Sequence, residues 1–279
     1  IINPGENILL PEPYFPLYGP DATLVGGEAK YYPCLFDHEF IPQVADLEGL
    51  VDDRTVAILY NFPSNPTGGT LNEQQRDDLL AFAAKHDLWI ISDEVYDRIV
   101  FETEHVSFMG TGYDKLMVVN SFSKTFAMTG WRIGYIVSTN LEAMKQVVKI
   151  QYYISACSND AMQYAVLEAM EKANDYPSMM ATEFQKRCKL IVDRLNAMPG
   201  VQCHQPKGSI YVFPKVDVPG MSSEDVALEL LKDGVLCSPG SAFGPSGEGH
   251  LRFAYTIGQD DIARGMDKVE ATLTRLQQG

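Results

Sequence analysis

Positive charge is scarce in this 279-residue chain: 22 Lys and Arg stand against 37 Asp and Glu, for a formal net charge of −15. Phosphate backbones and anionic bilayers are bound through clustered basic side chains. Nucleic acid and membrane are therefore not expected partners, and an anionic small molecule needs a local basic pocket. The five cysteines (Cys34, Cys157, Cys188, Cys203 and Cys237) include no C-x-x-C pair, and no His/Cys cluster has metal-ligand spacing. No metal is expected, and the pattern fits reduced thiols in a cytoplasmic setting. No apolar run approaches the roughly 20 residues of a membrane helix. No internal repeat or low-complexity tract is read, and no secretory leader is expected within these residues. The chain opens at Ile1 rather than Met and reaches a strand-like run by Asn7. The expectation is an N-terminally truncated fragment, with any targeting signal upstream of Ile1.

What is present is enough apolar material for a substantial core, 46% of residues, in one large or two medium domains. Short Val- and Ile-rich runs alternate with longer helical patterns, the signature of βα units and a largely parallel sheet. Predicted strands are Asn7–Leu10, Ala29–Tyr32, Val56–Tyr60, Leu88–Ser92, Leu116–Asn120 and Ile133–Val137. Between the third and fourth, Asn72 with Gln75 forms a capping box for a helix that buries Leu79, Leu80, Phe82 and Ala83. A long helix from about Tyr176 to Met198 stops at Pro199-Gly200, after which a second, smaller α/β unit is expected. It contains strands at Ser209–Val216 and His250–Ala254, a helix capped by Ser223 and ending at Gly234, and a C-terminal helix marked by Ile262, Met266, Val269, Leu273 and Leu276.

The most informative run is Asn120-Ser-Phe-Ser-Lys-Thr-Phe-Ala-Met-Thr-Gly-Trp-Arg-Ile-Gly134. It gathers the amine of Lys124, the hydroxyls of Ser121 and Ser123 and the guanidinium of Arg132 just after a strand, and Gly130 offers a turn returning the arginine toward the serine. Guanidinium and hydroxyls make a phosphate clamp. Asp93 ends a buried strand at the edge where open α/β sheets bind ligands. There it is either a helix N-cap or the partner of a heterocyclic nitrogen, and Tyr96 is either a packed ring or a donor on the same face. Asn65, in Asn61-Phe-Pro-Ser-Asn-Pro-Thr-Gly-Gly69, lies in a turn-rich loop with two X-Pro bonds open to the cis form. It is loop scaffold or a ligand contact. Arg252 is the solvent face of a strand or a bidentate carboxylate receptor, and Phe15 is core or a stacking ring.

Asn65-Pro-Thr-Gly68, Asp93-x-x-Tyr96, Ser121-x-Ser-Lys124, Gly130-Trp-Arg132 and Arg252, in that order, resemble the fold-type I pyridoxal-phosphate enzymes, specifically the class I/II aminotransferases of the aspartate and aromatic group. The resemblance implies a mostly parallel α/β sheet with helices on both faces. It also implies a large cofactor-binding domain over 1–175 whose N-terminal part is missing, an interdomain helix with a small C-terminal domain over 176–279, and a homodimer. By the same resemblance Lys124 forms the internal aldimine with pyridoxal 5'-phosphate. Asp93 binds the pyridine nitrogen, and Tyr96 and Asn65 the ring hydroxyl. Ser121, Ser123 and Arg132 hold the phosphate, Phe15 stacks on the ring, and Arg252 with Asn65 receives the substrate carboxylate. The implied reaction is transamination between an amino acid and a 2-oxo acid, with Lys124 shuttling the α-proton. Two other readings share the scaffold: a β-lyase or elimination enzyme, and a regulator domain that senses the cofactor without catalysis.

Overall fold

Six strands pair side by side in the computed structural model of the protein, which describes residues 1–278. They are β1 (Asn7–Glu12), β2 (Glu28–Pro33), β3 (Thr55–Asn61), β4 (Trp89–Asp93), β5 (Leu116–Ser121) and β6 (Gly134–Val137), in the order β2-β1-β3-β4-β5-β6. The first five are mutually parallel and β6 is antiparallel to β5. Parallel neighbours need a crossover. Helices α1 (Tyr18–Leu24), α2 (Val44–Glu48) and α3 (Glu73–Lys85) lie in the early connections. The segment containing Lys124 instead doubles back at the sheet edge through the short α4 (Phe122–Thr125), so β6 returns alongside β5.

Alternation along the strands splits their side chains between two faces. Ile8 and Leu10 pack with Ala57, Leu59 and Ala22 of α1, while Leu9 turns to the opposite side with Ile58, Tyr60, Ile90 and Val118. That second face is covered by Leu47 of α2 and by Leu79, Phe82 and Ala83 of α3. The capping box of α3 forms as expected: Asn72 Oδ1 accepts the Gln75 N–H at 2.8 Å and Gln75 Oε1 accepts the Asn72 N–H at 2.9 Å. Two helices with no counterpart in the sequence reading follow β6, α5 (Leu141–Ser155) and α6 (Asp160–Lys172), capped by Asn140 and Asn159. Their apolar residues Ile150, Tyr152, Tyr153, Ile154 and Tyr164 are exposed.

The long α7 (Tyr176–Asn196) buries Cys188, Ile191, Val192 and Leu195, spaced to share one face, against Ile262, Met266, Val269 and Leu273 of α9 (Gln259–Gln278). Between them lie β7 (Val201–Gln202), β8 (Tyr211–Val212), β9 (Lys215–Val216), α8 (Ser223–Lys232), β10 (Ser238–Pro239) and β11 (Leu251–Ala254). The single strand expected at Ser209–Val216 is two: β8 pairs with β11 and β9 with β7. Pro214 sits between them without an N–H to continue a ladder. The cap of α8 is Ser222, not Ser223. Ser222 is extended and accepts from the Asp225 N–H, whereas Ser223 is already helical and bonds Glu248 through both its N–H and its hydroxyl. The loop bonds Phe62–Pro63 and Asn65–Pro66 are both cis. No helix of the described residues is long and apolar enough to cross a membrane.

Ile58 is fully buried in the central strand. Replacing it with Ala is expected to cost about 2–5 kcal/mol of stability. In urea titrations the midpoint should fall while the slope stays unchanged.

Candidate active site

Parallel strands share a carboxyl edge, and the register here brings particular side chains to it. Asn61 at the end of β3 pairs with Asp93 at the end of β4. Beside them β5 ends at Ser121, directly opposite Gly134, the first residue of β6. A side chain at Gly134 would place its Cβ 2.6 Å from the Asn120 carbonyl oxygen, so this close return of the chain requires glycine. From β1 the chain runs on through Phe15 into α1. Phe15, Asn65, Asp93, Tyr96, Ser121, Ser123, Lys124 and Arg132, singled out from the sequence, all line one cavity of about 300 Å³ at this edge. Lys124 also borders a second cavity of about 570 Å³, walled largely by Met179, Met180, Phe184 and Ile210. The polar chemistry belongs to the first.

Lys124 Nζ lies 5.5 Å from the centroid of the Tyr96 ring and joins no ion pair among the described residues. Ser121 caps α4, its Oγ accepting the Ser123 N–H at 3.1 Å, and that oxygen is 2.9 Å from Ser123 Oγ. The chain turns back through a single 3₁₀ turn, Thr129–Trp131. The left-handed residue is Arg132 itself, with φ of 55°, rather than Gly130. Gly130 is the middle residue of the turn expected there. A non-glycine residue in that region is uncommon and sits mostly where the surroundings hold it. Arg132 Nη1 donates to the Thr129 carbonyl at 2.8 Å, and the guanidinium has no carboxylate partner among the described residues.

Asp93 Oδ2 accepts the Tyr18 hydroxyl at 2.6 Å, and Oδ1 accepts the Val95 N–H at 3.2 Å. Burial pushes this carboxyl above its ordinary range, and the two donors oppose that push. The segment after it is a turn, so Asp93 caps no helix. Tyr96 is buried, its hydroxyl 3.4 Å from that of Tyr211. Burial and the neighbouring Tyr211 and Asp93 raise its phenol far above the usual value, which keeps it protonated. Arg252, expected on a strand, lies outside the 300 Å³ cavity lining but is wired to it. Its guanidinium sits 4.3 Å from the Tyr211 centroid and 4.7 Å from that of Phe243, a double cation–π contact. Its Nη1 donates to Asn65 Oδ1 at 2.9 Å and its Nη2 to Ser238 Oγ at 3.1 Å. Burial lowers its pKa from the ordinary value. It is not the solvent-facing strand residue that alternation alone suggests.

Sequence reasoning missed three contributors. Tyr18 reaches Asp93, and its spacing from Phe15 in the same turn was the available signal. Asn61 accepts the Asn65 N–H at 2.9 Å and donates to the Asp93 carbonyl at 3.2 Å, tying loop to strand. Tyr211 packs on both Tyr96 and Arg252. The donor set suits a planar, phosphorylated pyridine aldehyde. It offers a cation with two hydroxyls at the β5–β6 end, an amine beside them, a carboxylate at β4, and aromatic walls from the β1 side.

Comparison with known proteins agrees with that donor set. The family model described as aminotransferase class I and II matches residues 1–269. An aspartate aminotransferase of Pyrococcus abyssi is 36% identical over 275 residues, covering 96% of this chain and 70% of that protein. Aromatic-amino-acid aminotransferase 2 of Thermococcus litoralis is 34% identical over 275 residues, with coverage of 96% and 70%. The crystal structure of an aromatic aminotransferase from Pyrococcus horikoshii superposes with a TM-score of 0.94 at 34% identity, covering 99% of this chain and 75% of that one.

Behind the site, Glu94 is buried and accepts from Ser92 Oγ at 2.8 Å and from the Phe108 N–H at 3.1 Å, with His105 Nε2 at 2.8 Å. Burial alone raises its pKa, but the His105, Ser107 and Ser92 contacts outweigh it and the carboxyl lies below its ordinary value. A depressed folded pKa contributes stability above the unfolded value and loses it as pH falls through the folded one. In acid titrations of stability, Glu94→Gln should remove this part of the decline below about pH 4.5. A variant curve parallel to the wild type would show that Glu94 contributes none of it.

Proposed function

This chain belongs to the aminotransferase class I and II family and serves pyridoxal-phosphate-dependent transamination between an amino acid and a 2-oxo acid; we propose how its own residues divide that work. The observation that carries the proposal is the meeting of Lys124, Asp93, Tyr96, Ser121, Ser123 and Arg132 around one cavity. Bound there, the cofactor supplies an aldehyde to take up an amine and a ring to accept the electron pair left when Cα loses its proton. Arg132 and the hydroxyls of Ser121 and Ser123 bind the phosphate. Asp93 holds the proton on the ring nitrogen, and Tyr96 donates to the ring hydroxyl oxygen. Asn65 does the same with its Nδ2, because its Oδ1 already accepts from Arg252. Phe15 closes one face of the ring.

Arg252 clamps the substrate α-carboxylate. Its two aromatic neighbours and its bonds to Asn65 and Ser238 fix the fork before substrate arrives, which reduces the ordering cost on binding. Lys124 Nζ takes the proton from substrate Cα and returns it to the cofactor side, acting as base and then acid. Among the described residues it has no ion pair to break first.

Residues 1–175 form the large domain and 176–279 the interdomain helix and small domain, a division supported by the packing of α7 against α9 in a core drawn mostly from residues after 176; Gly279 lies outside the described residues. The protein works as a homodimer, supported by the exposed apolar side chains of α5 and α6. It resides in the cytoplasm, a reading supported by five unpaired cysteines.

Lys124→Ala should abolish the visible imine band and turnover while leaving phosphate-dependent cofactor binding measurable by dialysis. A variant retaining both band and turnover would remove Lys124 from its role. Arg252→Ala should raise KM for the amino donor about 10- to 100-fold, the worth of a charged hydrogen-bonded contact, and leave the band intact. Ammonia release that does not depend on a 2-oxo acid would point to elimination instead.

A further inference from the structure

Nothing in that division of labour uses the phenol of Tyr18, yet it makes the shortest contact to Asp93. Tyr18 opens α1, and its ring packs edge-on against Phe15 with centroids 5.5 Å apart at 70°. Its hydroxyl is 2.6 Å from Asp93 Oδ2. Burial and the adjacent Asp93 charge hold the phenol far above its ordinary pKa, so the proton stays on Tyr18 and Asp93 is the acceptor. The other carboxylate oxygen has one backbone donor, Val95 N–H at 3.2 Å. No Lys, Arg or His forms an ion pair with Asp93 among the described residues. The negative charge at the end of β4 therefore rests on two donors, of which Tyr18 makes the closer bond.

A buried carboxylate that loses such a donor relieves the cost of burial by taking up a proton. Once protonated it donates where it must accept, and it is also free to rotate. We propose that Tyr18 is a positioning residue, orienting Asp93 through Oδ2 and keeping it a charged acceptor for the N–H of the cofactor ring. The same side chain links that acceptor to Phe15, so nitrogen contact and ring wall move as one unit. This inference rests on the reading of Asp93 as the partner of the ring nitrogen.

The test uses two ligands, pyridoxal phosphate and its carbocyclic 1-deaza analogue, which has no ring nitrogen. Equilibrium binding is measured on the wild-type protein, Tyr18→Phe, Asp93→Ala and the double variant. Tyr18→Phe keeps the ring and its contact with Phe15. It should weaken pyridoxal phosphate about tenfold, as expected for a hydrogen bond to a charged group, and leave the analogue unaffected. In the Asp93→Ala background the same change should have no further effect on either ligand. With the holoenzyme, kcat should fall while KM for the amino donor stays within about twofold. Equal losses for both ligands, or the same loss without Asp93, would reduce Tyr18 to packing and overturn the proposal. If the wild-type protein binds the two ligands equally, the assignment of Asp93 fails and Tyr18 falls with it, a result separable from the other two.

Discussion

The hydrogen-bond ladder that seats β4 between β3 and β5 is the constraint on which the rest of the molecule depends. Because these strands run parallel and end in near register, Asn61, Asp93 and Ser121 emerge at one edge although they are far apart in sequence. A slip of one residue would send each side chain to the opposite face. That slip is resisted by the alternation of Ile58, Tyr60 and Ile90 into one core with Ala57 and Leu59 into the other. The chemistry at the edge thus depends on burial beneath it.

The second constraint is the connection between the sheet and the segments after residue 200. Gly68 accepts two backbone N–H groups through its carbonyl, from Lys207 and Gly208, and the Ser209 N–H donates to the Ile99 carbonyl. Gly208 sits where a Cβ would lie 2.8 Å from the Ile99 carbonyl oxygen. These contacts hold Tyr211 against Tyr96 and let Arg252 reach Asn65. A carboxylate receptor on a late strand thereby becomes part of a site whose other groups stand on the early ones. Aromatic packing around Arg252 fixes its direction, and Glu94 with its donors fixes the loop behind Asp93 and Tyr96.

Much of this was legible from residue patterns. Most of the six strands follow from Val- and Ile-rich runs, and α3 from Asn72 and Gln75, because those signals are local and period-specific. Eight of the site residues were readable because each stands at a strand end, in a turn-rich loop or in the short helix that follows β5, where parallel sheets expose side chains. The failures were equally local in origin. Pro214 splits one expected strand into two, and Ser222 takes the cap assigned to Ser223. α5 and α6 have no counterpart in the sequence reading, although their caps Asn140 and Asn159 were local signals for them.

By itself the sequence determined the class of chemistry: one lysine among serines and an arginine, a carboxylate after a buried strand, and the order in which these motifs occur. It also determined the strands, since side-chain alternation and β-branched composition act through near neighbours. Only the tertiary structure decided which donors Asp93 keeps, that Arg252 is half-buried between Tyr211 and Phe243, and that Tyr18 belongs to the site at all. Those contacts join residues dozens to nearly two hundred positions apart. Their distances follow from strand register and core packing, which no local pattern records.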